Sequence, residues 1–208
     1  MTVMDDRENE IQRIRESTIK RVIGPTILLG SGTYFDFESP ESSEITIKDI
    51  AYGLAFEGRF AGQCYSRILK KRVLYVVAEH CVRMSYAVEQ QHALAALMHE
   101  CAESVCGDMT GPLKSMNPSY KATEKRCERA ILNRFNVVIS DPLAIKHADV
   151  RMLATERRDL MCWHGEKWTN DDIATPYDFE IIPWEPEEAA KAFLNRFFEL
   201  APTQENPQ

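Results

Sequence analysis

The stretch ALMHECAES, residues 96–104, places a histidine and two carboxylates in a run of otherwise small or apolar residues. A run of this kind predicts a buried helix, in which a carboxylate is costly unless it is paired or binds a cation. Because residues four apart share a helix face, His99 and Glu103 should point the same way. The stretch therefore indicates either a metal site or the exposed edge of an amphipathic helix.

One metal motif does not fit these residues. Zinc proteases with the pattern HExxH bind the ion through two histidines on one helix face and use the glutamate as a base. Here Glu103 stands where the second histidine would be. A site of that pattern is therefore disfavoured, and further ligands must come from other parts of the chain.

Two other stretches carry such groups in helical, apolar surroundings. His80 lies in AEHCV (78–82), and His147 and Asp149 lie in IKHADVRML (145–153). Because His147 is two residues before Asp149, it should point to a different face, which favours the surface or an outer contact over a ligand. A single buried histidine is more often a hydrogen-bonded core residue than a ligand, but three helices that each carry such a group are a rarer coincidence. Imidazole nitrogen together with carboxylate oxygen suits Zn, Mn, Fe, Co or Ni and leaves positions open for water and substrate.

The remaining pattern predicts an all-α fold, a bundle of roughly six to eight helices. Thr46 and Asp141 are expected N-caps, and Gly107 is expected to end the helix that contains His99. Residues 23–44 predict a loop or a small hairpin. We expect an N-terminal amphipathic helix and linker (1–26), one domain (27–200) and a polar tail (201–208). The expected helices cover residues 5–22, 46–56, 77–88, 91–107, 117–135, 141–161 and 185–200.

Composition restricts the classes of partner. The formal net charge of −7 argues against binding to duplex nucleic acid. No segment approaches the roughly 18–20 consecutive apolar residues that span a bilayer, and the charged N-terminus lacks the apolar core of a signal peptide. The six cysteines form no CxxC pair. We therefore expect reduced thiols in a cytoplasmic protein without a membrane partner.

The order His80, His99–Glu100, Asp149 resembles the H…HD…D pattern of the HD-domain phosphohydrolases. The similarity covers roughly residues 27–200 and follows the compact branch that contains bacterial 5′-deoxynucleotidases and phage dATP triphosphohydrolases. The ordered blocks that carry it are GTYFDF (32–37), SSEITIKDIAYGLA (42–55), RFAGQ (59–63), VAEHCV (77–82), ALMHECAE (96–103), GDMTGPLK (107–114), ADVRMLATERRDLM (148–161) and PWEPEEAAKAFLNRF (183–197).

The resemblance implies an HD-domain helical bundle that holds a divalent ion (Zn, Co, Mn or Mg). The sequence departs from the family at Glu100, where the usual residue is Asp. Glu is one methylene longer and is still a hard oxygen ligand. Activity could therefore be unchanged, the metal preference could differ, or the site could be weakened, with a nucleotide-binding protein as the extreme. The implied metal ligands are His80, His99, Glu100 and Asp149.

The resemblance also implies roles around the metal. Glu103 would be the general base and Asp108 its orienter on the side from which water attacks, and Arg59 and Lys114 would contact phosphate. By contrast, the charged run ATERRDL (154–160) predicts a solvated or interhelical ion-pair face.

The implied substrate is a deoxynucleotide, and the implied assembly is a symmetric homo-oligomer in a bacterial cytoplasm, with a phage-encoded origin as an alternative. Residues 32–63 and the basic insert YSRILKKR (65–72) are more similar to the phage proteins. They favour release of triphosphate from a dNTP, dATP in the phage branch, over removal of the 5′-phosphate from a deoxynucleoside monophosphate.

Overall fold

A computed structural model describes residues 8–11, 24–168 and 174–201 of the chain. These parts are predominantly helical, as predicted, with two small antiparallel sheets. The helix expected over 5–22 falls largely outside the described residues, although residues 8–11 are helical. The proposed division into an N-terminal segment, a domain and a tail stays a prediction.

The α-helices within the described ranges follow the predicted order, with additional short elements around the site. They are α1 (Ile47–Phe56), α2 (Val77–Ala87), α3 (Ala93–Met98), α4 (Glu103–Cys106), α5 (Gly111–Ser115), α6 (Pro118–Arg134), α7 (Pro142–Leu160) and α8 (Pro186–Leu200). Turns of 3₁₀ helix occur at Pro40–Ser42, Arg59–Gly62 and Gln90–His92.

The strands form two hairpins. β1 (Thr26–Leu28) pairs with β2 (Tyr34–Asp36), and Ile27 lies opposite Phe35, so the hairpin predicted within residues 23–44 is confirmed. β3 (Tyr65–Ser66) pairs with β4 (Lys71–Arg72) inside the basic insert. Both hairpins are short, which agrees with the weak strand signals of the sequence.

Local capping signals begin or end three of the helices where the sequence predicts. The Thr46 side chain accepts a hydrogen bond from the Asp49 backbone N–H, and the Asp49 carboxylate accepts one from the Thr46 N–H, which completes a capping box. The Asp141 carboxylate accepts from the N–H groups of Leu143 and Ala144, both at 3.0 Å. Gly107 ends α4 at φ +79°, a conformation that costs glycine little.

The single helix predicted over 91–107 is interrupted at the candidate site. Between α3 and α4, the Cys101 N–H donates to the Met98 carbonyl and the Glu103 N–H donates to the Glu100 carbonyl, both across three residues. Such bonds tighten the chain to three residues per turn, so that residues three apart align. Glu100 and Glu103 accordingly line the same cleft.

The core consists of two apolar clusters that meet at α2. Ala51, Phe193 and Phe197 belong to the cluster formed by α1, α2 and α8. Met84 and Met152 belong to the second cluster, beneath α7. Because apolar residues cover α2 on both sides, a polar side chain on this helix is removed from water, and His80 has no exposed surface.

Close packing of α1 against α4 fixes the segment that carries Glu103. A Cβ atom added to Gly53 would lie 2.7 Å from the Ser104 carbonyl oxygen and 2.9 Å from the Ser104 Cβ. We expect Gly53→Ala to lower the free energy of unfolding by roughly 1–3 kcal/mol, because the two helices must separate. Urea denaturation measures this loss. Gly111→Ala is the matched control, since a Cβ there meets no atom within 4 Å; equal stability of the two variants would contradict the prediction.

Candidate metal centre

The structure brings the predicted ligand side chains together from three parts of the fold. His80 comes from α2, His99 and Glu100 from the turn after α3, and Asp149 from α7. One donor atom of each lies within 4.8 Å of the others. His80 Nε2 lies 3.3 Å from His99 Nε2 and 3.6 Å from Asp149 Oδ1, and His99 Nε2 lies 3.5 Å from Glu100 Oε1. The group could therefore hold a metal ion, although its role as a ligand set stays a prediction.

Hydrogen bonds at the far side of both imidazoles orient their lone pairs. His80 Nδ1 lies 2.6 Å from Glu156 Oε1, and His99 Nδ1 lies 2.8 Å from the Ala96 carbonyl oxygen. Since both partners are acceptors, each Nδ1 carries the proton and each Nε2 presents a lone pair to the centre. Burial lowers the pKa of His99 and favours its neutral ring. In the neutral rings the two Nε2 lone pairs face each other at 3.3 Å, and either a metal ion between them or a second proton on one imidazole would satisfy both.

Glu156 is the residue at this centre that the sequence reading missed. The solvated alternative for residues 154–160 is wrong for Glu156, which has no exposed surface. Its Oε1 lies against His80, and its Oε2 accepts a hydrogen bond from Arg59 Nη2 at 3.2 Å. Burial would raise the pKa of Glu156, but the positive charge of Arg59 and then the contact with His80 hold it below its usual value. The available signal was its spacing: Glu156 follows Asp149 by two helical turns and so shares its face.

We expect Glu156→Gln to weaken metal binding by about 10- to 100-fold, the usual effect of losing a group that orients a histidine ligand. The amide keeps the volume but lacks the charge that serves His80 and Arg59 together. Competition with a chromogenic chelator measures the affinity. Glu79→Gln is the control, because Glu79 is equally buried but bonds Arg83 and the Trp184 N–H. An equal loss in both variants would contradict a specific role for Glu156.

A cleft of about 790 Å³ opens over the cluster. This volume lies in the range of about 300–1,000 Å³ that small-molecule sites occupy. The structure thus gathers the predicted catalytic and phosphate-contacting residues with two of the predicted ligands. Those that line the cleft are Arg59, Glu100, Glu103, Asp108, Lys114 and Asp149.

Glu103 is nearly buried in the cleft wall, with 3 % of its surface exposed. Its Oε1 accepts a hydrogen bond from Lys114 Nζ at 3.2 Å, while its Oε2 is buried and has no partner among the described residues. Burial, followed by the charges of Glu100 and Asp108, raises the pKa of Glu103 to about 9. The carboxyl group thus has a high proton affinity and one oxygen left to bind a small polar molecule.

Asp108 lines the cleft just after the turn at Gly107. Its backbone N–H donates to Glu57 Oε1 at 2.9 Å, which ties this loop to the end of α1. Burial raises the pKa of its half-buried carboxyl group, with Arg59 acting in the opposite direction.

Arg59 and Lys114 differ in how much of their charge is already paired. Arg59 is 8 % exposed, and its Nε has no hydrogen-bond partner among the described residues. It lies in a turn where Phe60 and Ala61 adopt φ of +56° and +52°, a strained backbone of the kind found at functional sites. Lys114 Nζ instead contacts both Glu103 and Glu124, at 3.2 and 2.7 Å. Contact with phosphate therefore requires Lys114 to exchange a carboxylate partner.

Other groups with metal-binding or redox potential lie outside the cluster. His147 is exposed on α7, as expected for a residue two positions before Asp149. The six cysteines are free thiols, and Cys162 is the exposed one. Among the described helices, none has the length and apolarity needed to span a bilayer.

Comparison with known proteins gives relatives whose names state no activity. No family model matches the chain. The chain is 37% identical over 174 residues to the uncharacterized protein YfdR of Escherichia coli (strain K12), which covers 82% of this chain and 93% of that protein. It is 34% identical over 126 residues to an uncharacterized protein of Rhodobacter capsulatus, which covers 57% of this chain and 62% of that protein.

Proposed function

The chain belongs to the family of YfdR, and we propose that it is a metal-dependent phosphohydrolase of the HD type that acts on deoxynucleotides. The observation that carries the proposal is the convergence of two imidazole Nε2 atoms and two carboxylates within 4.8 Å beside a cleft. The hydrogen bonds of both Nδ1 atoms support cation binding, because in the neutral rings they leave both Nε2 lone pairs directed at the centre, where a metal ion would accept them.

The chain's own residues supply the remaining parts of a hydrolytic site. When bound, a divalent ion would polarise a phosphoryl group and acidify a water molecule. With its pKa raised to about 9, Glu103 would hold a proton at neutral pH in the metal-free protein, and the positive charge of a bound ion would favour the carboxylate. In that form Glu103 would accept the proton from the attacking water at its unpartnered Oε2, and Asp108 would orient that water. Arg59 would bind phosphoryl oxygens through its unpartnered Nε, held in place by Glu156.

The position of Glu100 favours an active enzyme over the binding-only alternative. Its longer side chain reaches the cluster, with Oε1 at 3.5 Å from His99 Nε2. The tight turn between α3 and α4 presents Glu100 and Glu103 on the same side of the chain. The extra methylene is therefore accommodated without loss of a donor.

Within this class we propose release of triphosphate from a dNTP as the leading activity. Lys146, which contacts Asp149 at 2.8 Å, lines the cleft beside the cluster and adds positive charge for a longer phosphate chain. One observation favours the second candidate, removal of phosphate from a deoxynucleoside monophosphate. Among the described residues that line the cleft, none belongs to the basic insert at 65–72.

Product analysis tests both candidates. The full chain is dialysed against Zn, Co, Mn or Mg separately and incubated with the deoxynucleoside mono- and triphosphates. Triphosphate from a dNTP supports the leading activity, whereas phosphate from a monophosphate supports the second. Asp149→Asn controls for contaminating phosphatases. No release of either product with any metal would overturn the proposal.

A further inference from the structure

We propose that Trp168 forms a stacking platform for the nucleobase, in the part of the cleft that follows α7 away from Asp149. The proposal rests on the proposed function, because it assigns a place to one part of the proposed substrate. It adds a binding surface that neither the metal cluster nor the phosphate contacts provide.

Helix α7 forms one wall of the cleft and changes character along its length. Asp149, Val150, Leu153, Ala154 and Arg157 line the cleft from this helix. Their spacing keeps them on one face over two turns, a distance of about 12 Å along the axis. The wall therefore changes from the charged pair of Lys146 and Asp149 to an apolar surface toward Arg157. An apolar wall beside an anion site suits an organic group attached to the phosphate better than a free anion.

Arg157 holds the platform in position. Its guanidinium carbon lies 4.3 Å from the centre of the Trp163 ring and 4.8 Å from the centre of the Trp168 ring. Arg157 is only 7 % exposed, so the charge in these contacts is largely shielded from water, which strengthens the attraction of a cation to an aromatic ring. Contact with Arg157 restrains the Trp168 ring, and a restraint of this kind reduces the entropic cost of binding.

Trp168 presents aromatic surface to the cleft, unlike Trp163, the other ring that contacts Arg157. The Trp168 side chain is 37 % exposed and lines the cleft, whereas Trp163 does not line it. Indole rings stack on nucleobases with little preference among bases, since every base has an aromatic face. A platform of this kind predicts strong dependence on the presence of a base and weak dependence on its identity.

Two ligands that differ only in the base test the proposal. Binding of dAMP and of 2-deoxyribose 5-phosphate is measured by calorimetry with Mg present, in a Glu103→Gln background that limits turnover. We expect Trp168→Ala to weaken dAMP binding by about tenfold and to leave 2-deoxyribose 5-phosphate unchanged. Trp168→Phe should recover most of the loss, because it restores an aromatic face. Trp163→Ala is the matched control and should weaken dAMP binding far less than Trp168→Ala, because Trp163 contacts Arg157 but does not line the cleft.

Three results would overturn the proposal of a stacking platform. Trp168→Ala and Trp163→Ala could lose dAMP binding equally, or Trp168→Ala could weaken dAMP and 2-deoxyribose 5-phosphate equally. The third result is that the protein with Trp168 intact does not bind dAMP. These outcomes differ from a failure of the proposed function. Hydrolysis of nucleotides with unchanged base dependence in Trp168→Ala would remove the platform and keep the hydrolase. Base-dependent binding without hydrolysis would keep the platform and leave a binding protein.

Discussion

Replacing His99 with alanine is expected to remove the bound metal and to lower nucleotide hydrolysis by more than about 100-fold. This loss exceeds the one expected when a residue that only orients a metal ligand is replaced. His99 Nε2 lies 3.3 Å from His80 Nε2 and 3.5 Å from Glu100 Oε1, so its loss opens the cluster on two sides. Only one imidazole and two carboxylates would remain as donors. Elemental analysis after dialysis measures the metal content, and product release measures the rate.

His147→Ala provides the control for this experiment. His147 lies on α7 with Asp149 but is exposed and does not belong to the cluster, so its removal should change neither metal content nor rate. Asp149→Asn keeps the side-chain volume and serves as a second ligand variant if His99→Ala fails to fold, which circular dichroism would reveal. Full metal content and full rate in His99→Ala would exclude His99 as a ligand.

Glu103→Gln is expected to lower the rate of hydrolysis by about 10²- to 10⁴-fold, the usual contribution of general base catalysis, while the metal stays bound. The amide has nearly the same shape but cannot accept a proton from water. Glu103 fits this role because one of its oxygens is held by Lys114 and the other is buried without a partner among the described residues. Rate and metal content must be measured on the same preparation, because a lower rate with unchanged metal content is the result that identifies a general base.

Glu124→Gln distinguishes general base catalysis by Glu103 from the effect of removing a carboxylate partner of Lys114. Glu124 on α6 is the second carboxylate that contacts Lys114, at 2.7 Å, and it does not line the cleft. Its removal should change the rate far less than Glu103→Gln does. Unchanged turnover in Glu103→Gln would remove Glu103 from the mechanism, and loss of metal in that variant would reassign it as a ligand.

Local signals in the sequence predicted those features that depend on neighbouring residues. The capping box at Thr46 and the N-cap at Asp141 lie where expected, because a cap involves residues within three positions of each other. The helical class followed from periodicity. The prediction of a continuous helix over 91–107 was wrong, because residue composition does not distinguish the tighter turn at 99–102 from an α-helix.

The four donor residues of the candidate site were predicted, but some of the residues that hydrogen-bond to the site were not. The resemblance to the H…HD…D pattern implied His80, His99, Glu100 and Asp149, which the fold brings together. Residues 154–160 were predicted to form a solvated or interhelical ion-pair face. The ion-pair alternative fits Glu156, but its contact with the proposed ligand His80 was not predicted. The pairing of Lys114 with Glu124 was also missed, since it depends on the packing of α5 against α6.

The sequence by itself determined the helical class, the helix ends at Thr46, Asp141 and Gly107, and the types of donor group available, because each depends on residue types and on spacings of a few residues. The tertiary structure alone decided the distances between donors, the acceptor that faces Nδ1 of each imidazole and the burial of Glu156. His80 and Glu156 are 76 residues apart, and Arg59 and Glu156 are 97 residues apart. Contacts over such separations arise only when the helices pack, and packing removes the water that would otherwise solvate each charge.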